Sequence, residues 1–147
     1  MKPLIKKMKL AHVNEIYEIE KQCFVTPWSS TTFVHYAASP YSISIVAIID
    51  NKVAGYICCQ NIAGDGHIDN VATAPAHQGR GIGSIMMERL INNAARLGFS
   101  GLTLEVASRN AAAIALYTKH GFAPEGLRKN YYADTQDDAI IMWKYFI

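Results

Sequence analysis

The segment Gln78-Gly79-Arg80-Gly81-Ile82-Gly83 separates a strand-like stretch, residues 67–73, from the clearest helical pattern in the chain, residues 81–97. Glycine has no β-carbon, so its backbone adopts positive φ easily and can approach a ligand closely. Successive N–H groups at a helix N-terminus can point at one anion, and Arg80 adds a full positive charge beside them. A strand, a glycine-containing loop and a helix in this order therefore indicate a binding site for a phosphate or pyrophosphate.

The spacing of these glycines excludes several other loops. A P-loop ends in Gly-Lys-Ser/Thr, which does not occur in this chain. A dinucleotide fingerprint that begins at Gly79 needs a glycine where the chain has Ser84, and one that begins at Gly81 meets Met86. The nucleophile elbow GxSxG is missing as well. A tight turn that binds nothing is the remaining alternative, although three glycines at alternate positions exceed what one turn requires.

Outward from this segment, apolar periodicity and turn residues predict an alternation of helices and strands. Two helices come first, the second capped by Ser29 or Ser30, and a run of antiparallel strands follows. The strand–helix–strand passage through residues 67–106 suits a parallel crossover, and Asn110 can cap a last helix. Strands are predicted at residues 2–10, 42–49, 53–61, 67–73, 102–106, 122–132 and 139–146, and helices at residues 12–22, 30–38, 81–97 and 110–120.

Two patterns inside these elements predict where side chains point. Strict alternation along residues 67–73 places His67, Asp69, Val71 and Thr73 on one face and Ile68, Asn70 and Ala72 on the other. One apolar stripe along the long helix consists of Ile82, Ile85, Met86, Leu90, Ala94 and Leu97. The predicted fold class is α/β (α+β), a mixed and mostly antiparallel sheet of about six to seven strands flanked by about four helices.

The composition is that of an ordinary globular protein. The 147 residues, 50% hydrophobic and 18% charged, predict one domain over residues 1–147. A net charge of +2 does not indicate a nucleic-acid partner, and no apolar stretch is long enough for a membrane span. Three cysteines without CxxC or Cys/His ligand spacing predict reduced thiols and no metal site. We therefore expect a soluble, cytoplasmic protein that has no nucleic-acid or membrane partner. The sequence does not fix the oligomeric state, and a monomer is favoured.

The pattern Gln-x-x-Gly-x-Gly between a strand and a helix resembles the acyl-CoA-binding motif of the GNAT superfamily of N-acetyltransferases. Residues 68–75 resemble the strand and loop before that motif, and residues 104–106, 110–117 and 121–122 resemble the second half of the fold. The resemblance spans nearly the whole chain. It implies the GNAT fold, with a central strand–helix–strand acyl-CoA-binding core, and acetyl-CoA as co-substrate without a metal.

Four segments narrow the resemblance to the ribosomal-protein-alanine N-acetyltransferases: Pro27-Trp28-Ser29, Leu104-Glu105-Val106, Asn130-Tyr131-Tyr132 and residues 138–142. This implies acetyl transfer to a protein N-terminal amine, by direct attack in a ternary complex. The implied acceptor is the N-terminal alanine of small-subunit ribosomal protein eighteen. The chain departs from the family pattern in one place. The family usually carries arginine directly after Leu-Glu-Val, and here Ala107 stands there, with Arg109 two residues later.

Cofactor-binding residues follow from the loop and from the resemblance. The glycine loop predicts a main-chain cradle for the phosphates. The resemblance adds a strand whose backbone pairs with the pantetheine arm, and an asparagine that contacts the cofactor. The predicted cofactor-binding residues are Val71, Ala72, Thr73, Gly79, Arg80, Gly81, Ile82, Gly83, Ser84 and Asn110.

Two further residues are candidates for proton transfer. Glu105 lies in an apolar strand on the face opposite Leu102, Leu104 and Val106, where it would accept a proton from the ammonium of the acceptor. Tyr117 would protonate the departing thiolate. The residues alone leave two other readings equally open: a solvated carboxylate for Glu105, and simple packing against Ile114 and Phe122 for Tyr117. The resemblance favours the catalytic roles.

On the acceptor side, Trp28, Tyr131 and Tyr132 are candidates to contact a peptide, with ordinary packing as the alternative. Two other functions also stay open. One keeps the fold but transfers acetyl to a small amine or to another protein. The other is an acyl-CoA-binding module without activity, although such a module would need neither Glu105 nor Tyr117.

Overall fold

One mixed sheet of seven strands and four α-helices make up the computed structural model, which describes residues 2–147. The strands are β1 (Leu4–Lys7), β2 (Ile45–Ile49), β3 (Lys52–Ile62), β4 (Asp65–Thr73), β5 (Gly101–Ala107), β6 (Ala123–Tyr132) and β7 (Asp137–Tyr145). The helices are α1 (Val13–Cys23), α2 (Ser30–Ala38), α3 (Ile82–Arg96) and α4 (Ala111–Lys119). The predicted fold class is confirmed, and every predicted element is present.

The strands follow the order β1-β2-β3-β4-β5-β7-β6 across the sheet. Neighbouring strands are antiparallel except β4 and β5, which are parallel and joined through α3. This is the predicted crossover, because two parallel strands need a long connection that returns the chain to the same edge. The crossover places the glycine loop, between β4 and α3, at the carboxyl end of β4 in the middle of the sheet.

Apolar side chains on the two faces of the sheet form two separate cores. On one face, α3 and α4 pack over β2 to β5; Met86, Leu90, Leu104 and Tyr117 belong to this core. On the other face, α1 and α2 pack over β3 and β4, and Ile16, Phe33 and Tyr56 lie inside it. Adjacent residues on a strand point to opposite faces, and accordingly Cys58 and Cys59 are buried in different cores.

Pairing between β4 and β5 stops well before either strand ends. The parallel register runs from Asp65–Gly101 to Ile68–Leu104, after which β4 continues to Thr73 and β5 to Ala107. Beyond the last pair, each strand presents main-chain groups that the other does not bond. We call this part of the sheet, residues 69–73 and 105–107, the β4–β5 gap.

The predicted alternation along β4 is wrong beyond Ile68. Cys58 pairs with Asn70 and Cys59 with Ile68, so Asp69 is an extra residue in β4, a β-bulge. The bulge reverses the alternation: Ile68 lies in the α3 core, whereas Ala72 lies in the α1–α2 core. Val71 consequently packs on the α3 side, and Asp69 reaches α2 on the opposite face.

Three smaller predictions also differ from the structure. The long apolar helix ends at Arg96, and Leu97 is 62% exposed, while Met87 is fully buried and widens the apolar stripe. The turn expected at residues 64–66 consists of Ala63 and Gly64, both with positive φ, and β4 already begins at Asp65. The strand expected from residue 42 begins at Ile45. Within residues 2–147, no helix has the length and apolarity that crossing a bilayer requires.

Candidate active site

Six consecutive amide N–H groups at the start of α3, from Gly79 to Ser84, donate to no main-chain or side-chain acceptor within residues 2–147. The first helical bond there is Ile85 N–H to the carbonyl oxygen of Gly81, at 3.1 Å. No side chain caps the helix. Because unbonded N–H groups and the helix dipole both favour negative charge, this loop is a candidate main-chain site for an anion, called here the anion-binding loop.

The glycines of this loop are required by its backbone conformation. Gly79 and Gly81 have φ of 78° and 80°, in the left-handed region that other residues seldom adopt. A β-carbon at either position would meet no protein atom within 4 Å, so the space above the loop is open. Arg80 is exposed between them. The loop therefore keeps both its N–H groups and a cation facing solvent.

The Lys119 side chain at the end of α4 adds a positive charge near this site, and His120 beside it contacts the same loop. Ser84 Oγ lies 2.7 Å from His120 Nε2 and accepts a hydrogen bond from Lys119 Nζ at 3.3 Å. Burial, followed by the charge of Lys119, lowers the pKa of His120, so this imidazole is neutral at physiological pH. The sequence alone did not indicate this contact, because it joins residues 36 positions apart.

The open edge of β4 presents main-chain groups to the gap. Opposed residues in an antiparallel pair alternate between those that exchange hydrogen bonds and those that do not. Ala74 N–H donates to Ala54 O at 2.8 Å, so Ala72 is also a bonded residue. The main-chain groups of Val71 and Thr73 therefore point away from β3 and into the gap. Among the three residues predicted to pair with a cofactor, Val71 has a free backbone edge. Thr73 has a free N–H, but its carbonyl oxygen accepts hydrogen bonds from Gln78 Nε2 at 3.0 Å and from Cys23 Sγ at 3.4 Å.

Asn110 and Tyr117 lie on α4, on the same side of the sheet as α3. Asn110 caps the helix as predicted, accepting a hydrogen bond from Ala113 N–H at 3.1 Å. The Tyr117 ring is buried against Phe122, with ring centroids 5.9 Å apart. Burial raises the pKa of Tyr117 to about 12, so the phenol is protonated at neutral pH. Packing and availability as an acid are thus both features of this side chain.

Glu105 extends from β5 on the other face of the sheet, directly after the last residue of the β4–β5 pairing. Its neighbours Leu104 and Val106 are buried in the α3 core, and Glu105 itself is exposed, with 35% of its side-chain surface accessible. The Arg128 guanidinium approaches it, with Nε 3.7 Å from Oε1. Such an exposed pair is weakly held, so an ammonium ion can replace the guanidinium.

Two tyrosines of β6 surround Glu105. The carboxylate charge raises the pKa of Tyr131, and burial, followed by the same charge, raises the pKa of Tyr132 to about 12. Tyr131 is 49% exposed and stacks edge-on against Tyr132. The structure thus brings Glu105, Tyr131 and Tyr132 together, as the acceptor-side prediction requires, with an exposed aromatic surface beside the carboxylate.

Trp28, the third acceptor-side candidate, belongs to the loop between α1 and α2. Its ring stacks on Tyr36 with ring centroids 5.5 Å apart, and its main-chain N–H donates to Glu20 Oε2 at 2.9 Å. Glu20 is almost completely buried and also accepts from Tyr56 and Asn70. Packing and this main-chain hydrogen bond therefore account for the position of Trp28. The sequence analysis missed Glu20, although a glutamate on the apolar side of a predicted helix was a visible signal.

Arg109, which stands two residues after Ala107, supports the end of β5. Asp137 on β7 accepts hydrogen bonds from Ser108 Oγ at 2.5 Å and from Arg109 N–H at 3.3 Å. The hydrogen bond from the Ser108 hydroxyl is the main cause that lowers the pKa of Asp137, and the main-chain N–H groups of Arg109 and Asp138 lower it further. Arg109 thus belongs to a brace between β5 and β7, which its guanidinium extends with Nε 3.9 Å from Asp137 Oδ1.

The chain belongs to the Acetyltransferase (GNAT) family, whose sequence profile matches residues 13–122. It is therefore an acetyltransferase with acetyl-CoA as co-substrate.

Particular relatives are similar over almost the full length. The [ribosomal protein bS18]-alanine N-acetyltransferase of Escherichia coli K12 is 34% identical over 140 residues, or 94% of each chain. That of Haemophilus influenzae is 31% identical over 142 residues, 95% of this chain and 96% of the relative. The crystal structure of the E. coli enzyme superposes with a TM-score of 0.91, at 32% identity, over 97% of this chain and 93% of that one.

A more distant structure supports the fold with the co-substrate present. Arabidopsis thaliana NAA60 in complex with acetyl-CoA superposes with a TM-score of 0.90, at 13% identity, over 98% of both chains. The free N–H groups of Gly79–Ser84 and the open edge of β4 fit a ligand with a diphosphate and an amide-containing arm. Within residues 2–147, no group of three or more His, Cys, Asp or Glu side chains could hold a metal ion.

Proposed function

We propose that this protein transfers the acetyl group of acetyl-CoA to the N-terminal α-amine of a protein. The proposed acceptor is the N-terminal alanine of ribosomal protein bS18, which the names of the relatives supply. The observation that carries the proposal is the position of Glu105. Glu105 is the first residue of β5 in the β4–β5 gap. The anion-binding loop follows β4 on the other side of this gap, and the exposed ring of Tyr131 lies beside Glu105.

The proposed mechanism is direct attack in a ternary complex. Acetyl-CoA supplies an activated thioester, and the main-chain groups of Val71, the N–H of Thr73 and the N–H groups of the loop would hold it along the gap. Glu105 would take a proton from the acceptor ammonium, directly or through a water, so that the amine nitrogen has a free electron pair. Tyr117, protonated at neutral pH, would give its proton to the sulfur as the carbon–sulfur bond breaks.

Replacement of Glu105 by glutamine tests the proposed base. We expect Glu105→Gln to lower kcat by about a hundredfold while the Kd for acetyl-CoA changes little, because the amide cannot accept the ammonium proton. The rate is measured as CoA release with a peptide of the bS18 N-terminus, and the site of acetylation by mass spectrometry. Glu125→Gln is the matched control, since Glu125 is an exposed carboxylate on β6 that bonds Tyr145. Equal pH–rate profiles for wild type and Glu105→Gln would remove Glu105 from this role.

An acceptor panel separates the proposed function from its two rivals. The panel contains N-terminal peptides, polyamines and aminoglycosides at equal concentrations. We expect turnover with N-terminal peptides and little with the small amines. A preference for a small amine would favour the second function, whereas acetyl-CoA binding without any turnover would favour a non-catalytic module. In cells, the bS18 N-terminus should lose its acetyl group when the gene is deleted.

A further inference from the structure

The bulged residue Asp69 is held in one orientation on the acceptor side of the sheet. Its Oδ2 accepts hydrogen bonds from Tyr36 Oη at 2.5 Å and from Gln60 Nε2 at 3.1 Å. Both donors use the same oxygen, and no donor within residues 2–147 bonds Oδ1. Asp69 is exposed, so a second oxygen of a fixed carboxylate faces solvent.

Asp69 shares a cleft with the proposed base. Glu105 and Asp69 both lie on the face of the sheet that α1 and α2 cover, on opposite sides of the β4–β5 gap. The charge of Asp69 contributes to the raised pKa of Tyr131, but more weakly than that of Glu105. In the parallel register Ile68 lies beside Leu104, so Asp69 and Glu105 are the residues that directly follow the last pair on the two strands. An ammonium at Glu105 would leave Asp69 free for a second positive charge.

A cavity adjoins the side chains that hold Asp69. Its volume is about 480 Å³, and both Tyr36 and Gln60 are part of its wall. The remaining lining comes mostly from the end of α2, and includes Val34, which is 39% exposed. A long side chain can place its aliphatic part along such a wall and its charged end at a carboxylate. Lysine and arginine have this combination.

We propose that Asp69 selects acceptors with lysine or arginine at the second position. The inference rests on the proposed function, because it assumes that the N-terminal amine is at Glu105. Consecutive residues of an extended chain are about 3.5 Å apart and alternate in direction, so the second side chain projects away from the reacting amine. Its cation meets Oδ1 of Asp69, and its aliphatic part lies over Tyr36 at the mouth of the cavity. Asp69 is thus a specificity residue, without a part in proton transfer.

Three peptides that differ only at the second residue, arginine, glutamine or glutamate, test this inference with the wild-type protein. We expect kcat/KM for the arginine peptide to exceed that for the glutamine peptide by about tenfold, since a charge-assisted hydrogen bond is lost with glutamine. The glutamate peptide should be the poorest, because its charge is the same as that of Asp69. This comparison needs no variant and is unaffected by any loss of stability.

Asp69→Asn should abolish the preference by lowering kcat/KM for the arginine peptide about tenfold and changing that for the glutamine peptide less than about twofold. Asp69→Lys should reverse the order and favour the glutamate peptide. Asp65→Asn is the matched control, because it makes the same charge change at the far end of β4 and should keep the wild-type preference. Turnover of all three peptides at equal rates by the wild type, or an equal loss on all three in Asp69→Asn, would overturn this inference alone. No turnover of any peptide would overturn the proposed function as well.

Discussion

Tyr117 belongs to the core and, in the proposed mechanism, also gives the proton to the leaving thiolate. Its ring is 8% exposed and packs against Phe122 in the α3 core, so a substitution that keeps the ring preserves most of this packing. Burial raises its pKa from 10.0 to about 12. The folded protein therefore holds this proton more tightly than the unfolded chain does. Stability linked to Tyr117 is fully present below pH 10 and is lost as the pH rises toward 12.

We predict that Tyr117→Phe lowers kcat by about tenfold or more and that the ratio of wild-type to variant rates is constant between pH 6 and pH 9. The reason is that a phenol with a pKa of about 12 is fully protonated over this whole range. The measurement is a pH–rate profile of both proteins with the same peptide. A ratio that falls with a midpoint inside this range would show that Tyr117 titrates there, contrary to its burial. Phe122→Leu, which alters the same packing without the hydroxyl, is the control.

At the scale of elements, the start of α3 has a conformation that only glycine adopts without strain. Gly81 is the N-cap, with φ of 80° and open space where a β-carbon would be. Gly64, in the turn between β3 and β4, has the same two properties, with φ of 90°. The two glycines differ in location alone, since one lies in the anion-binding loop and the other does not. This difference separates conformational strain from ligand binding.

We predict that Gly81→Ala and Gly64→Ala each destabilise the protein by about 1–2 kcal/mol, because each forces alanine into the left-handed region. Only Gly81→Ala should also weaken acetyl-CoA binding, by about tenfold, because its methyl group occupies the space in front of the N–H groups. Thermal unfolding gives the first quantity and isothermal titration calorimetry the second. Equal affinities in the two variants would mean that the co-substrate does not contact this loop.

The elements also show which features could be predicted from sequence. The caps Ser29 and Asn110 were predictable, because a cap bonds an N–H group three residues away. The bulge at Asp69 was not, since it depends on the register of β4 against β3 and leaves no local pattern. For the same reason the contacts of Tyr36 with Asp69 and of Ser84 with His120, more than thirty residues apart, were missed. The candidate residues were named from a motif and a resemblance, and the cleft that surrounds them required the tertiary structure.

At the scale of the whole molecule, Glu20 connects four parts of the structure. This buried carboxylate of α1 accepts from Trp28 N–H in the α1–α2 loop, from Tyr56 on β3 at 2.6 Å and from Asn70 on β4 at 2.8 Å. A buried charge without such donors would be strongly unfavourable. The three bonds fix the loop and the bulged strand relative to α1, on the face of the sheet that also carries Glu105.

We predict that Glu20→Gln destabilises the protein by about 2 kcal/mol and lowers Tm by about 6 °C, because the new amide group must face at least one of three donors. Without the bond from Trp28 N–H, the α1–α2 loop should also be less ordered, and this should raise KM for the peptide more than it lowers kcat. Glu18→Gln on the same helix removes only an exposed pair with Lys21 and should change stability by less than about 0.5 kcal/mol. Identical melting of the two variants would show that the Glu20 contacts are not important for stability.

The short pairing between β4 and β5 has a consequence for the way the molecule fluctuates. Four residue pairs join the two halves of the sheet, and past them the amide hydrogens of Val71 and Thr73 are not protected by a neighbouring strand. Hydrogen–deuterium exchange of these amides should therefore be fast along the β4–β5 gap in the free protein and become slower once acetyl-CoA is bound there. The open edges of β4 and β5 beyond these four pairs would then be covered only while the reagent is bound, and departure of the product would expose them again for the next cycle.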